Sequence, residues 1–184
     1  MKKLWLTLAV AGMTLSSMAQ SRRIEAEIDP IAYALKGYSV HGIHVNKRLR
    51  TDLGIFGIEQ PSGFGGNKGF GIYTAGAGLK INYLLDKDEH WFAGVGLGYS
   101  HNRITHQETS VSKNQRLGSA GIHLGYRWFM FSRNEGGWKN LYLAPWVSVD
   151  YNMPINKIDF EAASYRQKKV TLFPTVHVGY RFSK

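Results

Sequence analysis

The sequence predicts an all-β protein, an antiparallel up-and-down transmembrane β-barrel of about eight strands with one short helix. Apolar and polar residues alternate with period two along most of the chain, and side chains of a strand point alternately to its two faces. Glycine and aromatic residues are frequent inside these alternating segments. The chain has 184 residues, of which 21 are glycine and 13% are aromatic. Alternation also keeps the average hydropathy of a membrane barrel ordinary.

Roughly eight segments alternate in this way, each near the length that a tilted strand needs to cross a membrane. They cover residues 23–28, 38–46, 49–60, 71–85, 91–103, 117–131, 141–152 and 171–184. The last, TLFPTVHVGYRFSK, places Leu172, Val176 and Val178 on one face. Its other face carries Thr175 and His177. This ribbon therefore has one face suited to lipid and one suited to a polar interior.

The first residues predict a signal peptide over residues 1–19. Lys2 and Lys3 precede an apolar run that is too short to cross a bilayer, and small residues occupy the positions that a signal peptidase recognises. The alternative is an N-terminal membrane anchor. Residues 20–184 would then form one barrel domain, exported to the bacterial outer membrane. The Ala19–Gln20 junction resembles cleavage sites common in Bacteroidota.

Composition excludes several other classes of protein. There is no cysteine, which argues against a disulfide-stapled exported scaffold. The formal net charge of +10 suits either nucleic acid or phosphorylated lipid headgroups. No basic cluster is interleaved with aromatic residues as in nucleic-acid-binding modules, so no nucleic-acid partner is expected.

The connections alternate between short and long. Residues 46–48 and 86–90 are short, whereas 61–70, 105–114 and 153–168 are long and polar. Outer-membrane barrels have short periplasmic turns and longer extracellular loops, so this alternation supports the barrel prediction.

The first connection, residues 29–37, predicts the short helix. Asp29 can cap its N-terminus, Pro30 suits the first helical position, and Gly37 can end it. If the segment before it is the first strand, this helix is extracellular and the long loops fall on the same side.

An alternative begins the barrel at Tyr38 and adds a strand near residues 155–164. The helix would then be periplasmic, but the long loops would lie on the periplasmic side as well. This contradicts the loop rule for outer-membrane barrels.

Aromatic residues concentrate where a membrane barrel carries its interfacial girdle. Those expected near the periplasmic rim are Tyr83, Trp91, Trp128, Phe131, Tyr180 and Phe182. The alternative is a soluble barrel like a lipocalin, whose apolar face points inward. The polar face would then be the surface, yet here it is rich in glycine and poor in charge.

The segment "VHVGYRF" resembles the C-terminal assembly signal of outer-membrane β-barrels, although Ser183 and Lys184 follow the final aromatic residue. The overall layout resembles the small eight-stranded family that includes OmpA-, OmpX- and OmpW-like barrels. This resemblance implies a monomer without a cofactor. It also implies the barrel assembly machinery and outer-membrane lipids, including lipopolysaccharide, as partners.

The inward-facing polar residues predict a network in the lumen. They are Arg50, Asp52, Lys80, His123, Arg127, Asp150, His177 and Arg181, together with Glu25 and Glu27. An eight-stranded barrel is just wide enough for side chains to fill, and charges inside it must pair. The expected role is a structural plug, and the alternative is a polar path for an ion or solute.

Two prolines interrupt the last two strands. Pro145 and Pro174 have no N–H to donate to the ladder, and proline is normally confined to strand edges and bulges. The two explanations are tolerated bulges and a lateral gap in pairing that opens to lipid. The second resembles PagP-type lipid A acyltransferases, where prolines bound gaps for lipid access.

The best candidates for catalysis are Ser39 and His41 in "GYSVHG", which share one strand face. Asp29 or Glu59 could orient the histidine. A serine nucleophile needs a base within hydrogen-bonding reach, and the base needs an orienting group. The chain lacks the full motifs of PagP and of PagL-type deacylases, so no catalytic residue is carried over from them.

A second candidate group is His101, His106 and Glu108. No metal site is predicted, because His41 and His44 fall on opposite strand faces. The expected function is a structural or loop-mediated binding role in the cell envelope, without an enzyme activity. The alternative is a lipid A-modifying acyltransferase or deacylase with its gate near the two prolines.

Overall fold

A computed structural model describes residues 22–60, 68–131, 140–161 and 164–182. The predicted signal peptide, the glycine-rich segment 61–67 and the last two residues lie outside these ranges. Within the described ranges, no helix is long and apolar enough to cross a membrane.

The described chain consists of antiparallel strands arranged in a closed ring. The elements are β1 (Arg22–Ile28), α1 (Pro30–Ala34), β2 (Tyr38–Asn46), β3 (Leu49–Gln60), β4 (Phe70–Leu84), β5 (Trp91–His106), β6 (Ser112–Tyr126), β7 (Trp128–Phe129), β8 (Leu141–Pro154) and β9 (Val170–Phe182). Each strand pairs with the next around the ring, and β1 pairs with β9 to close it. Because β7 continues β6 along β8, the nine strands make an eight-membered ring. The prediction of an all-β antiparallel fold is confirmed.

The order of the strands decides between the two arrangements considered from the sequence. β1 pairs with β2 on one side and β9 on the other, so the ring begins with β1 and not at Tyr38. No ring strand forms in the described part of residues 155–164. The alternative arrangement is therefore wrong.

Half of one predicted loop, residues 105–114, is strand. Thr105 pairs with Ser112, and β5 and β6 are joined by residues 107–111 alone. The polar composition of 105–114 suggested a longer loop, but polar side chains near the end of a strand are tolerated when they face solvent.

The two ends of the ring differ. The end that carries the turn 47–48 is called the lower end, and the end that carries α1 is called the upper end. At the upper end, the described residues 155–161 and 164–169 of the connection between β8 and β9 fold inward. Phe160 of this connection packs in an apolar cluster with Phe70, Ile72 and Ile104.

α1 begins as predicted but ends differently. Asp29 is its N-cap, since the carboxylate accepts a hydrogen bond from Ile31 N at 2.8 Å, and Pro30 occupies the first turn. The left-handed residue after the helix is Lys36, with φ 54°, and not Gly37. Gly37 instead allows close packing, because a Cβ there would overlap the backbone of Gly57.

Apolar side chains cover the outside of the ring. Leu97, Ile122 and Leu172 are 64%, 65% and 63% exposed, and similar residues occur on most strands. The inner face carries buried charged and polar residues, among them Glu25 and Arg127. Soluble monomers rarely expose apolar patches this extensive, so this distribution needs an explanation beyond the fold itself.

Candidate functional site

The lower half of the interior is filled by paired charges. The buried carboxylate of Glu25 lies 2.9 Å from Arg127 Nη1 and 3.1 Å from Arg181 Nε. Arg50 Nε lies 3.4 Å from the same carboxylate, and Arg50 also pairs with Glu27. Buried charges are stable only when an opposite charge is within hydrogen-bonding reach. We call these five residues the plug.

Two residues that sequence reasoning missed complete the plug. The buried Tyr142 hydroxyl lies 2.8 Å from Glu27 Oε1. Glu89, from the turn between β4 and β5, accepts a hydrogen bond from Arg181 Nη2 at 2.8 Å and pairs with Arg23. A signal for Glu89 was available, since three inward arginines outnumber two inward glutamates and predict another carboxylate.

An apolar cluster closes the rest of the lower half. Ile43, Val45, Leu84 and Phe92 are buried together, and Trp146 packs against them. Together, the plug and this cluster leave the interior of the lower half occupied by side chains, as the width of an eight-stranded ring permits.

The residues predicted to form the polar network all lie on the inner face, in two groups. Arg50, Arg127 and Arg181 belong to the plug. The second group lies above the plug and consists of Asp52, Lys80, His123, Asp150 and His177. The interior of the ring therefore has a lower half filled by side chains and an upper half that side chains do not fill.

A cavity of about 280 Å³ occupies the upper half. His177 and Trp146 line it, while α1 and the upper connection contribute Ala32 and Lys168. Small residues leave this space empty, and the glycines among its lining residues are Gly54, Gly78, Gly96 and Gly98. Concave, largely apolar spaces with a few polar groups are typical ligand sites.

Ser39, His41 and Asp52 form a hydrogen-bonded chain beside this cavity. Ser39 Oγ lies 3.0 Å from His41 Nε2, and His41 Nδ1 lies 2.8 Å from Asp52 Oδ1. All three side chains are buried, and the first two line the cavity. Lys80 Nζ donates to the second oxygen of Asp52 at 3.2 Å. A hydroxyl, an imidazole and a carboxylate linked in this order are the groups that serine hydrolases use as nucleophile, base and orienting acid.

The hairpin of β2 and β3 brings this chain together. Asn46 pairs with Leu49 across the two-residue turn, so His41 lies opposite Gly54, and Asp52 is the next inward residue of β3. Gly54 is required here, because a Cβ would overlap the imidazole ring of His41. The register of this short turn was the signal that could have identified Asp52 from sequence.

The orienting acids expected from sequence have other partners. Asp29 caps α1 and accepts a hydrogen bond from Thr175 Oγ1 at 2.7 Å. Glu59 is exposed and lies 3.7 Å from Lys36 Nζ. Neither carboxylate orients His41, because Asp52 takes that place.

The two histidines of the second candidate group, His101 and His106, do not lie together in the structure. His101 is exposed on the outer face of β5, whereas His106 is buried and bonds Thr109 Oγ1 at 2.9 Å through Nδ1. Their separation by five positions puts them on opposite faces of one strand. These histidines therefore do not form a joint site.

The strand pairing does not open at Pro145 and Pro174. β8 and β9 keep one register from Leu141 opposite Tyr180 to Tyr151 opposite Val170, both prolines included. Both prolines are exposed on the outer face. The predicted gap between these two strands is corrected by this continuous register.

The wall of the ring is interrupted at a different place. β1 pairs with β9 only as far as Ile28 opposite Val178, so within the described part of the chain residues 170–177 of β9 have no partner strand on that side. α1 lies there instead, in contact with β2, β3 and β9. The hydrogen bond from Thr175 to Asp29 joins β9 to the start of this helix. The upper wall between β9 and β2 is thus formed by a short helix.

One partly exposed group in the described part of the chain has the spacing of a metal site, formed by Asp86, Asp88 and His90 in a turn at the lower end. Asp86 already accepts backbone hydrogen bonds from His90 N at 3.0 Å and Trp91 N at 2.7 Å. Desolvation acts to raise the pKa of Asp86, but these N–H groups hold the pKa below its ordinary value. The carboxylate of Asp86 therefore stabilises the turn by accepting these two backbone hydrogen bonds.

No protein-family model and no curated protein matches this chain. The interior residues are therefore the basis for assigning a function.

Proposed function

We propose that the chain is an eight-stranded β-barrel of the bacterial outer membrane with a structural or binding role in the envelope. The observation that carries this proposal is the apolar outer face around a charged interior. Contact of such an apolar outer face with the lipid chains of a bilayer is favourable, whereas its exposure to water costs free energy. The ring also pairs each strand with its neighbours except along residues 170–177 of β9, where α1 takes the place of a strand, so little backbone is left unpaired towards a membrane.

Aromatic residues near the lower end support the membrane placement. Exposed rings there belong to Tyr83, Trp91, Trp128, Phe131 and Phe182. Amphipathic rings favour the interface between lipid and water, so this row marks the lower boundary of the apolar band. With both chain ends of the ring on this side, the lower end is periplasmic and the upper end extracellular.

The basic residues of the upper connection supply the binding role. Lys157, Arg166, Lys168 and Lys169 are exposed on this side of the ring. Phosphates of neighbouring lipopolysaccharide accept charge-assisted hydrogen bonds from such side chains. A pore function is disfavoured, because the plug fills the lower half.

The barrel itself is tested by electrophoresis and conductance. We expect the protein from the outer-membrane fraction to migrate differently before and after boiling, because a closed sheet resists detergent until heated. In planar lipid bilayers the inserted protein should show no steady conductance, since the plug blocks the interior. Absence of a band shift, or recovery in the soluble fraction, would contradict the membrane placement.

The proposed binding of lipopolysaccharide is tested by replacing exposed lysines of the connection between β8 and β9. Replacing Lys157 and Lys169 by glutamine should weaken lipopolysaccharide binding by about 1 kcal/mol for each lysine at low salt. Lys87→Gln, in an exposed turn at the lower end, is the matched control and should leave binding unchanged. Equal weakening by the control, or none by the double variant, would count against binding through the upper connection.

A further inference from the structure

We propose that Ser39, His41 and Asp52 form an acyl-ester hydrolase site that acts on a single-chain amphiphile. The substrate enters the cavity from the lipid side beside α1. This inference rests on the proposed membrane placement only for the source of the substrate. The chemistry follows from the three side chains and the cavity that they adjoin.

The hydrogen bonds define the role of each group. Ionised Asp52 accepts a hydrogen bond from His41 Nδ1, which leaves Nε2 as the acceptor for the Ser39 hydroxyl. Lys80 holds the other oxygen of Asp52 and so restrains the carboxylate. Ser39 is thus the nucleophile, His41 the general base, and Asp52 the positioning residue.

The reaction balances with water as the co-reactant. Ser39 Oγ forms a bond to the acyl carbon, and its proton passes to His41 Nε2. His41 returns that proton to the departing alcohol oxygen as the ester bond breaks. Water then attacks the acyl-enzyme through the same base, the carboxylic acid departs, and Ser39 regains its proton.

Packing around the site is consistent with this role. A plain structural network would not require empty space beside the serine, yet Ser39 and His41 both line the cavity. Gly54 makes room for the imidazole, and at Gly78 and Gly96 no atom lies closer than 3.6 Å to where a Cβ would stand, so the cavity stays open beside them.

The size and lining of the cavity indicate the class of substrate. A volume of about 280 Å³ lies just below the usual range of about 300–1,000 Å³ for ligand pockets. It therefore suits one acyl chain and not a lipid with several. Phe173 and Trp146 provide apolar contacts, and the charged plug below limits how deep a chain can reach.

The interrupted wall provides the route for entry. α1 replaces a strand between β9 and β2, and its buried Ala32 lines the cavity. Ile31 and Tyr33 on the same helix are 44% and 47% exposed towards the outside. A five-residue helix is joined to β9 by side-chain contacts instead of a strand ladder, so it can yield at lower cost.

The first test is covalent labelling of the full-length folded protein in detergent micelles with an alkyl fluorophosphonate. Peptide mass spectrometry should locate the adduct on Ser39. Ser100, which lines the same cavity but donates to Asn102 at 3.4 Å, is the internal control and should stay unlabelled. An unlabelled folded protein, or an adduct on Ser100 alone, would overturn the proposal without needing any variant.

Hydrolysis of p-nitrophenyl esters with four-carbon and twelve-carbon chains supplies the second test. Ser39→Ala and His41→Gln should each lower the rate at least about 100-fold, the usual contribution of a positioned acid–base group. Ser112→Ala, at the exposed start of β6 and outside the cavity lining, should leave the rate unchanged. Hydrolysis by Ser39→Ala at the rate of the unaltered protein, with the band shift on boiling intact, would refute the assignment.

The positioning role of Asp52 is tested by a measurement that a purely structural role would not change, namely kcat and KM determined separately. Asp52→Asn should lower kcat while leaving KM nearly unchanged, because the cavity stays the same and the histidine loses its orientation. Lower kcat accompanied by an equal rise in KM, or no change in either, would contradict the positioning role.

The route is tested by Ala32→Leu, which adds bulk where α1 lines the cavity. The ratio of twelve-carbon to four-carbon hydrolysis should fall, and an unchanged ratio would exclude entry beside α1.

These assays also separate the two proposals. Loss of the band shift with Ser39 labelling intact counts only against the membrane barrel, whereas a normal band shift without labelling counts only against the hydrolase.

Discussion

Replacing Glu25 by glutamine is expected to lower the free energy of unfolding by about 3–5 kcal/mol, the usual cost of leaving a buried charge without its partner. Glu25 is fully buried and is the common acceptor for Arg50, Arg127 and Arg181. A neutral amide of nearly the same size leaves these three guanidinium groups with too few negative charges among them. The amide also adds donors where the arginines already donate.

This loss can be measured by urea unfolding in lipid vesicles, followed by tryptophan fluorescence. Glu59→Gln is the matched control, because Glu59 is exposed and its contact with Lys36 spans 3.7 Å. Exposed pairs of this kind contribute about 0–1 kcal/mol. If the two variants lost the same small amount, the interior charges would not be acting as a plug.

Replacing Leu97 by arginine is expected to cost about 2–4 kcal/mol of folding free energy in a bilayer, the penalty for a cation near the midplane on a lipid-facing strand. Leu97 lies in the middle of β5 on the outer face and is 64% exposed. If the outer face met water instead, an exposed leucine could be charged at almost no cost. The sign and size of this effect therefore separate a membrane barrel from a soluble one.

The same vesicle assay provides the measurement, and Val111→Arg provides the control. Val111 is 47% exposed but lies outside the strands, in the turn 107–111 between β5 and β6 at the upper end. Arginine near the interface costs about 0–1 kcal/mol. A neutral Leu97→Arg with unchanged solubility would be evidence against lipid contact at this face.

Most of the fold was predictable because strand alternation is a local property. Each strand needs only its own residues to indicate which side chains share a face, and one face of the ring is predominantly apolar. Strand ends were less accurate, as at Thr105 and Ser112, because polar residues occur both in loops and in the exposed ends of strands. The N-cap at Asp29 was also local and was predicted correctly.

The candidate site was predictable only in part. Ser39 and His41 are two positions apart on one strand, so their contact follows from sequence spacing alone. Asp52 joins them from the next strand, which depends on the register set by the turn 47–48. The sequence had pointed to Asp29 or Glu59 instead, but the carboxylate of Asp29 is engaged by α1 and Thr175.

By itself, the sequence determined that the chain forms an antiparallel sheet with one apolar and one polar face, because period-two patterning needs no partner strand. Only the tertiary structure decided which charges meet, since Glu25 contacts Arg127 and Arg181, which lie more than 100 positions further along the chain. It also decided that the wall is interrupted beside α1 and not between the two proline-containing strands. The interruption arises because β1 stops pairing with β9 at Ile28. Where two strands stop pairing depends on both of them, so the sequence of one strand alone cannot predict it.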